Sequence, residues 1–142
     1  MKRFRQRGAS LPETAIVLGV VLAMLFGIID FGRAMYTYAF VAQLAREGAR
    51  WMIVRGSQCS VLDHCGAGQS ALQTYVQGLS EGMTKASSIA VNTPVYSGCA
   101  TLTDDPGCTV GVTVSYPFNF LLPYLPVGTI TMSSTSKMVI SQ

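Results

Sequence analysis

Few residues in this chain have the types and spacing that catalysis or metal binding requires. The one cluster of metal-ligating types is Asp63, His64 and Cys65. His64 is the only histidine, and no paired C-x-x-C supplies the remaining ligands of a zinc site. No phosphate-binding glycine loop, nucleophile elbow or HExxH helix occurs. We therefore expect no enzyme activity, no metal ion and no cofactor.

The four cysteines, Cys59, Cys65, Cys99 and Cys108, are better explained as disulfides. An even number of cysteines in a small exported domain indicates a disulfide framework with three possible connectivities. The spacing favours the local pairs Cys59–Cys65 and Cys99–Cys108, because turn-forming residues lie beside or inside each loop and a short loop closes at small entropic cost. The other two connectivities stay open.

An uncharged apolar stretch precedes the cysteines. Residues 14–29 contain no charged side chain and lie between Glu13 and Asp30. As a helix they cover about 24 Å, slightly less than the hydrocarbon core, and apolar residues at both ends extend them. We predict a transmembrane helix over residues 9–30. Four of the ten basic residues lie within residues 2–7, so the positive-inside bias places the N-terminus in the cytoplasm and the later chain outside.

The junction before this span, RQRGASLPETAIVL, resembles a class III (type IV) prepilin processing site. Gly8 ends a basic leader (residues 1–8), Ala9 follows, and Glu13 is the fifth residue after Gly8. In such proteins a membrane peptidase cuts after the glycine, and the apolar helix stays in the mature protein. A charge costs about 2.5 to 3.5 kcal/mol at the centre of a membrane helix, so a carboxylate at the edge of the hydrocarbon is expected to need a partner. Cleavage would free the Ala9 amine, which can neutralise Glu13.

Two alternatives stay open for this junction. A basic segment before an apolar one also fits a cleaved secretory signal, although no small-x-small cleavage site follows the apolar stretch. Glu13 can also be an ordinary acidic residue in a first helical turn, where it interacts favourably with the helix dipole.

Small residues recur every four positions along the span, at Ala15, Gly19, Ala23 and Gly27. Such a stripe lets helix backbones approach closely in lipid. We therefore predict a helix packing face and oligomerisation through it.

The helix is expected to continue beyond the span as a stalk over residues 31–55. No proline occurs between Pro12 and Pro94, and apolar residues keep the helical period. Asp30 and Arg33 are three residues apart, as are Glu47 and Arg50, so each pair can meet on the helix surface. The sequence thus predicts one helix of about forty residues, half in the membrane and half outside it.

The remaining residues, 56–142, are predicted to form an α+β head with disulfides. Apolar spacing predicts a short helix near residues 69–79, and strands are predicted over residues 88–96, 109–116 and 129–140. The alternation within 109–116 indicates a sheet with one covered face. The apolar, proline-rich residues 117–126 either cover the core or contact a partner.

Composition excludes two classes of protein. Only 12% of the residues are charged and the mean hydropathy is +0.38, so the chain is not a disordered polar tail. Without the leader, six basic residues face seven acidic ones, so the basic surface that nucleic-acid binding needs is missing.

The segment over residues 27–50 resembles the TadE-like family. The family's GxxEFGR-type turn corresponds here to Gly27, Asp30, Phe31, Gly32 and Arg33. Its AAREGAR-type segment corresponds to Ala45, Arg46, Glu47, Gly48, Ala49 and Arg50. The C-terminal run from residue 110 to 140 also resembles the family's ending.

This resemblance implies a minor pilin or pseudopilin of the Flp-type tight adherence pilus, with a pilin-like fold and a role in surface attachment and biofilm formation. It implies an inner-membrane protein with a periplasmic head; incorporation into the extracellular pilus stays open. The implied partners are a prepilin peptidase, the major pilin, other minor pilins, the inner-membrane assembly platform and membrane lipid. The alternative is an uncleaved single-span envelope protein whose head is a protein- or surface-binding module.

Overall fold

The computed structural model describes residues 10–55, 68–80, 86–99, 106–121 and 128–141. Its elements follow the order helix, helix, sheet. They are α1 (Ser10–Ile53), α2 (Gln69–Leu79), a short 3-10 helix (Ala86–Ser88), β1 (Ala90–Val91), β2 (Val95–Ser97), β3 (Thr109–Phe118) and β4 (Ile130–Val139). This confirms the predicted α+β class, with a long N-terminal apolar helix, a short helix and a small antiparallel sheet, consistent with a pilin-like fold.

Helix α1 is a single helix of 44 residues, about 66 Å long. Its first turn contains Pro12 and Glu13, two residue types that helix N-termini favour. Residues 11–29 are all exposed, whereas most residues on one face from Val41 to Met52 are buried. The helix therefore has an uncovered first half and a second half that belongs to the core of the head.

The sheet is built around β3. Strand β4 pairs antiparallel with all of β3, from Thr109 opposite Val139 to Phe118 opposite Ile130. Strands β1 and β2 follow one another along the other edge of β3. Strands β3 and β4 lie within two residues of their predicted ranges.

The strand predicted over residues 88–96 was wrong as one continuous element. Residues 86–88 form the 3-10 helix, and the remainder is divided into β1 and β2. Val91 pairs with Val114 but Val95 pairs with Gly111. The chain therefore advances by four residues between these pairs on the β1–β2 side and by only three residues on β3. The extra residue is accommodated as a bulge around Pro94, which has no amide hydrogen for the ladder.

One face of the sheet is covered, as its alternation predicted. Val110, Val112 and Val114 of β3 are fully buried. They pack with buried residues of both helices in one core. These are Val41, Leu44, Ala45, Ala49 and Met52 of α1 and Leu72 and Val76 of α2. On the opposite face the hydroxyl groups of Thr113 and Thr135 are hydrogen-bonded at 2.7 Å.

Helix α2 covers the edge of β1 with a row of glutamines. Gln73 donates to the carbonyl of Ile89 (2.6 Å) and accepts from the Val91 amide (2.8 Å), so its side-chain amide replaces a neighbouring strand. Gln69 and Gln77 donate to the Val91 and Ile89 carbonyls, both at 3.3 Å. Because unpaired strand edges promote aggregation, this row protects an edge that is only two residues long.

Gly48 lies where α1, α2 and the sheet meet. A Cβ atom at this position would be 3.2 Å from Val112 Cγ1, 3.4 Å from Val76 Cγ2 and 3.5 Å from Leu72 Cδ1. The neighbouring Ala45 and Ala49 are fully buried. Small residues in this part of α1 therefore allow close approach to both partners.

We predict that Gly48→Leu destabilises the head by about 1 to 3 kcal/mol, because the added side chain overpacks a closed contact. Gly78→Leu is the matched control, since no atom lies within 4 Å of a Cβ at that exposed helical position. It should leave stability unchanged or raise it by up to about 0.8 kcal/mol through helix propensity. Unfolding in detergent can be followed by fluorescence of Trp51, which stacks on Tyr75 of α2 at 5.4 Å. Equal effects of the two substitutions would contradict the close contact.

Candidate functional site: the junction of the apolar helix and the head

Helix α1 is long and apolar enough to cross a membrane. The region Leu11–Ile53 contains an 18-residue window of mean hydropathy 2.4, of which only 6% is buried within the protein. A core helix of a soluble protein would have this window largely covered by other elements. The helix therefore fits a single-pass membrane protein.

The end of the uncharged stretch is fastened to the head at Asp30. The Leu121 amide donates to both carboxylate oxygens of Asp30, at 3.1 Å and 3.0 Å. Arg33 Nη1 donates to Oδ1 of the same carboxylate at 2.9 Å. Asp30 is only 3% exposed, so the protein supplies these partners in place of water. We call Asp30, Arg33, Phe118 and Leu121 the Asp30 cluster.

The two phenylalanines at the end of β3 complete this contact. The guanidinium of Arg33 lies over the ring of Phe118, 5.5 Å from its centroid, within the range of a cation–π interaction. Phe118 is buried, and Phe120 packs edge-to-face on it at 5.3 Å. One turn along α1, the hydroxyl of the buried Thr37 donates to the Arg33 carbonyl at 2.8 Å.

This arrangement ties together parts of the chain that are 91 residues apart. A buried carboxylate is costly unless it is paired and hydrogen-bonded. Arg33 and the Leu121 amide both help Asp30 to meet that requirement. The predicted Asp30–Arg33 ion pair is thus present, and it also holds the segment after β3 against the helix.

The second predicted ion pair is weaker. Arg50 Nη1 lies 3.5 Å from Glu47 Oε1, and both side chains are well exposed. Exposed pairs of this kind contribute only a few tenths of a kcal/mol. Arg46 and Phe31 are exposed, and nothing lies within 4 Å of a Cβ at Gly32. Five of the residues that carried the family resemblance contact the head, namely Asp30, Arg33, Ala45, Gly48 and Ala49.

The predicted helix packing face is uncovered. Ala15, Gly19, Ala23 and Gly27 are all exposed, and within the described part of the chain no atom beyond the adjoining helix backbone lies within 4 Å of a Cβ at either glycine. Glu13 is exposed in the first turn of α1, while Gly8 and Ala9 lie outside the described residues. Association through this face and processing after Gly8 therefore stay predictions.

The predicted local disulfide between Cys99 and Cys108 is confirmed. It joins the end of β2 to the start of β3, and Cys108 is part of the buried core. Gly107, next to Cys108, has a φ of +91°, a conformation that glycine adopts without strain. Cys59 and Cys65 lie outside the described residues, as do Asp63 and His64. Among the residues that the structure describes, no three His, Cys, Asp or Glu side chains form a group that could hold a metal ion.

The sequence comparison supports the family resemblance in the N-terminal part of the chain. The sequence model of the family described as "TadE-like protein" matches residues 8–50. These residues form a TadE-like segment. The match covers the apolar stretch, Asp30, Arg33 and Gly48, and it ends before the predicted resemblance of the C-terminal run.

The TadE-like family consists of structural components of a pilus and not of enzymes. Together with the apolar helix, the match supports a membrane protein associated with the Tad pilus. Comparison with curated proteins and with solved structures finds no significant match.

Sequence reasoning missed the main partner of Asp30, namely the backbone amide of Leu121. An amide is present in every residue except proline, so this partner leaves no trace in residue type. The available signal was the apolar segment after β3, which was predicted to cover the core or contact a partner. Its first described residues cover α1 at Asp30.

We predict that Asp30→Ala loosens the segment around Leu121 and destabilises the head by about 2 kcal/mol, because it removes the charged acceptor of both the Leu121 amide and the Arg33 guanidinium. Hydrogen exchange measured by mass spectrometry should become faster at Leu121. Glu47→Ala removes the acidic partner of the other i, i+3 pair on the same helix. It should change stability by less than about 0.5 kcal/mol. If both variants exchange at the wild-type rate near Leu121, Asp30 does not hold this segment.

Proposed function

We propose that this protein is a minor pilin or pseudopilin that helps to assemble or prime a Flp-type (type IVb) tight adherence pilus, and thereby supports surface attachment and biofilm formation. The observation that carries the proposal is the extent of the TadE-like match. Residues 8–50 include the apolar helix and the two residues, Asp30 and Arg33, that fasten the head to it. The part of the chain that matches the family thus contains both the apolar helix and the residues that attach the head to it.

An assembly subunit needs a helix that packs against neighbours and a head that is fixed to that helix. The first half of α1 presents an uncovered stripe of small residues, which suits close helix packing in lipid. The second half of α1 belongs to the core of the head. Forces on the head would therefore reach the membrane helix directly, without a flexible linker between the two.

In this proposal the helix lies in the inner membrane, with the leader in the cytoplasm and the head in the periplasm. A prepilin peptidase removes residues 1–8, and the mature protein begins at Ala9. Its partners are the major pilin, other minor pilins and the inner-membrane assembly platform. Entry into sheared extracellular filaments would distinguish a fibre subunit from a protein that only starts assembly.

The first test is the N-terminus of the protein in the membrane fraction of a cell that contains the peptidase. Intact-mass analysis should find a chain that lacks residues 1–8 and begins at Ala9. Gly8→Leu should abolish this shortening, because the larger side chain replaces the glycine at the cut. Recovery of Met1 as the dominant start would favour the uncleaved, singly anchored binding module.

The second test concerns Glu13. A charge costs about 2.5 to 3.5 kcal/mol at the centre of a membrane helix, so a carboxylate at the edge of the hydrocarbon is also stabilised by pairing. The Ala9 amine of a neighbouring subunit is a suitable partner. Glu13→Ala should leave the shortening intact but reduce assembly, measured as pilin in sheared filaments and as attached cells. Glu13→Asp keeps the charge and should retain most of the assembly. Normal assembly by Glu13→Ala would rule out the pairing role.

A further inference from the structure

The end of the head where β3 finishes and β4 begins lies beside the point where the apolar stretch ends. Residues 14–29 contain no charge, and Asp30 follows them directly. Because the Leu121 amide is hydrogen-bonded to Asp30, Leu121 must lie at the same height along α1. Any bilayer that surrounds the uncharged stretch is therefore adjacent to this end of the head.

The direction of β3 supports this placement. Arg33 contacts Phe118, and Gly48 approaches Val112. The two helix positions are about 22 Å apart and the two strand positions about 20 Å apart. Strand β3 therefore runs alongside α1 toward the apolar stretch, and β4 returns from it. The β3–β4 end is the membrane-facing end of the head.

The apolar surface of α1 continues past Asp30. The uncharged stretch covers about 24 Å, whereas a hydrocarbon core is about 30 Å thick. Phe31, Met35 and Tyr38 follow at helical spacing and are exposed, Phe31 to 67%. Aromatic residues of this kind occupy the interfacial layer of membranes. On this face the bilayer would reach the height of the Asp30 cluster.

The head presents apolar side chains at this height. Leu121 is 56% exposed and Ile130, which pairs with Phe118, is 42% exposed. No charged residue occurs between residues 106 and 136. The Leu121 amide is itself satisfied by Asp30, as irregular backbone near hydrocarbon requires. Arg33, whose side chain is 47% exposed, can extend toward lipid headgroups.

We propose that the β3–β4 end of the head, through Leu121 and Ile130, is a second membrane contact that rests on the surface of the bilayer crossed by α1. Lipid is the occupant that this position favours, because the exposed side chains lie where the same chain leaves the hydrocarbon. The contact would fix the tilt of the head relative to the membrane. It depends on the membrane span of the proposed function but not on pilus assembly.

The test is fluorescence quenching by brominated lipids, with the full chain in nanodiscs that hold one copy each. Leu121→Trp and Ile130→Trp are made separately in a Trp51→Phe background, which removes the only native tryptophan. Phe26→Trp in the same background reports the span. The unmodified protein reports a distant site, because Trp51 lies about 32 Å along the helix from Asp30.

We expect Leu121→Trp and Ile130→Trp to lose emission with bromine near the headgroups, and to lose less with bromine deep in the acyl chains. Phe26→Trp should be quenched more by the deep bromines, and Trp51 should not be quenched. If Phe26→Trp is quenched while both head variants are not, the head does not contact lipid although the span is in place. If none is quenched, the span is not in the bilayer and the proposed topology fails as well.

Discussion

One buried carboxylate, Asp30, holds the end of the head that lies nearest the apolar stretch. Asp30 accepts from Arg33 on its own helix and from the Leu121 amide 91 residues later. It lies at the end of the uncharged stretch and is buried within the protein, where an unpaired charge is costly. Pairing Asp30 therefore also holds the segment after β3 against α1, because the Leu121 amide is one of its donors. A lysine or an alanine at this position would leave no acceptor for that amide.

Small residues occur in two parts of helix α1. In the first half, glycine and alanine at every fourth position are exposed, and in the proposed function they would pack against another helix in lipid, where dispersion packing drives association. In the second half, Ala45, Gly48 and Ala49 face the valines of β3, and the hydrophobic effect drives burial. One continuous helix can serve both because its apolar face continues while its surroundings change at Asp30.

The parts of the fold that depend on local pattern could be predicted from the sequence. The helical period and the lack of proline indicated α1, the spacing of Leu72 and Val76 indicated α2, and the alternation of β3 indicated a sheet with one covered face. The local disulfide between Cys99 and Cys108 and the Asp30–Arg33 pair followed from spacing. The division of the predicted strand into β1 and β2 did not follow from spacing, because the bulge at Pro94 depends on how this segment pairs with β3.

The contacts that sequence reasoning could not supply are those between side chains and backbone. The backbone amide of Leu121 donates to Asp30, and the side-chain amide of Gln73 accepts from the backbone of β1 as a neighbouring strand would. No pattern of residue types in the sequence predicts either contact. Yet these contacts orient the head. The core fixes α1 against the sheet along its length, and the hydrogen bonds at Asp30 fix the end nearest the apolar stretch. A head held at both places cannot rotate about the helix, so its outer surfaces keep one orientation relative to the stripe of small residues. That constraint is what a subunit needs if the packing of its helix is to determine how neighbouring heads meet.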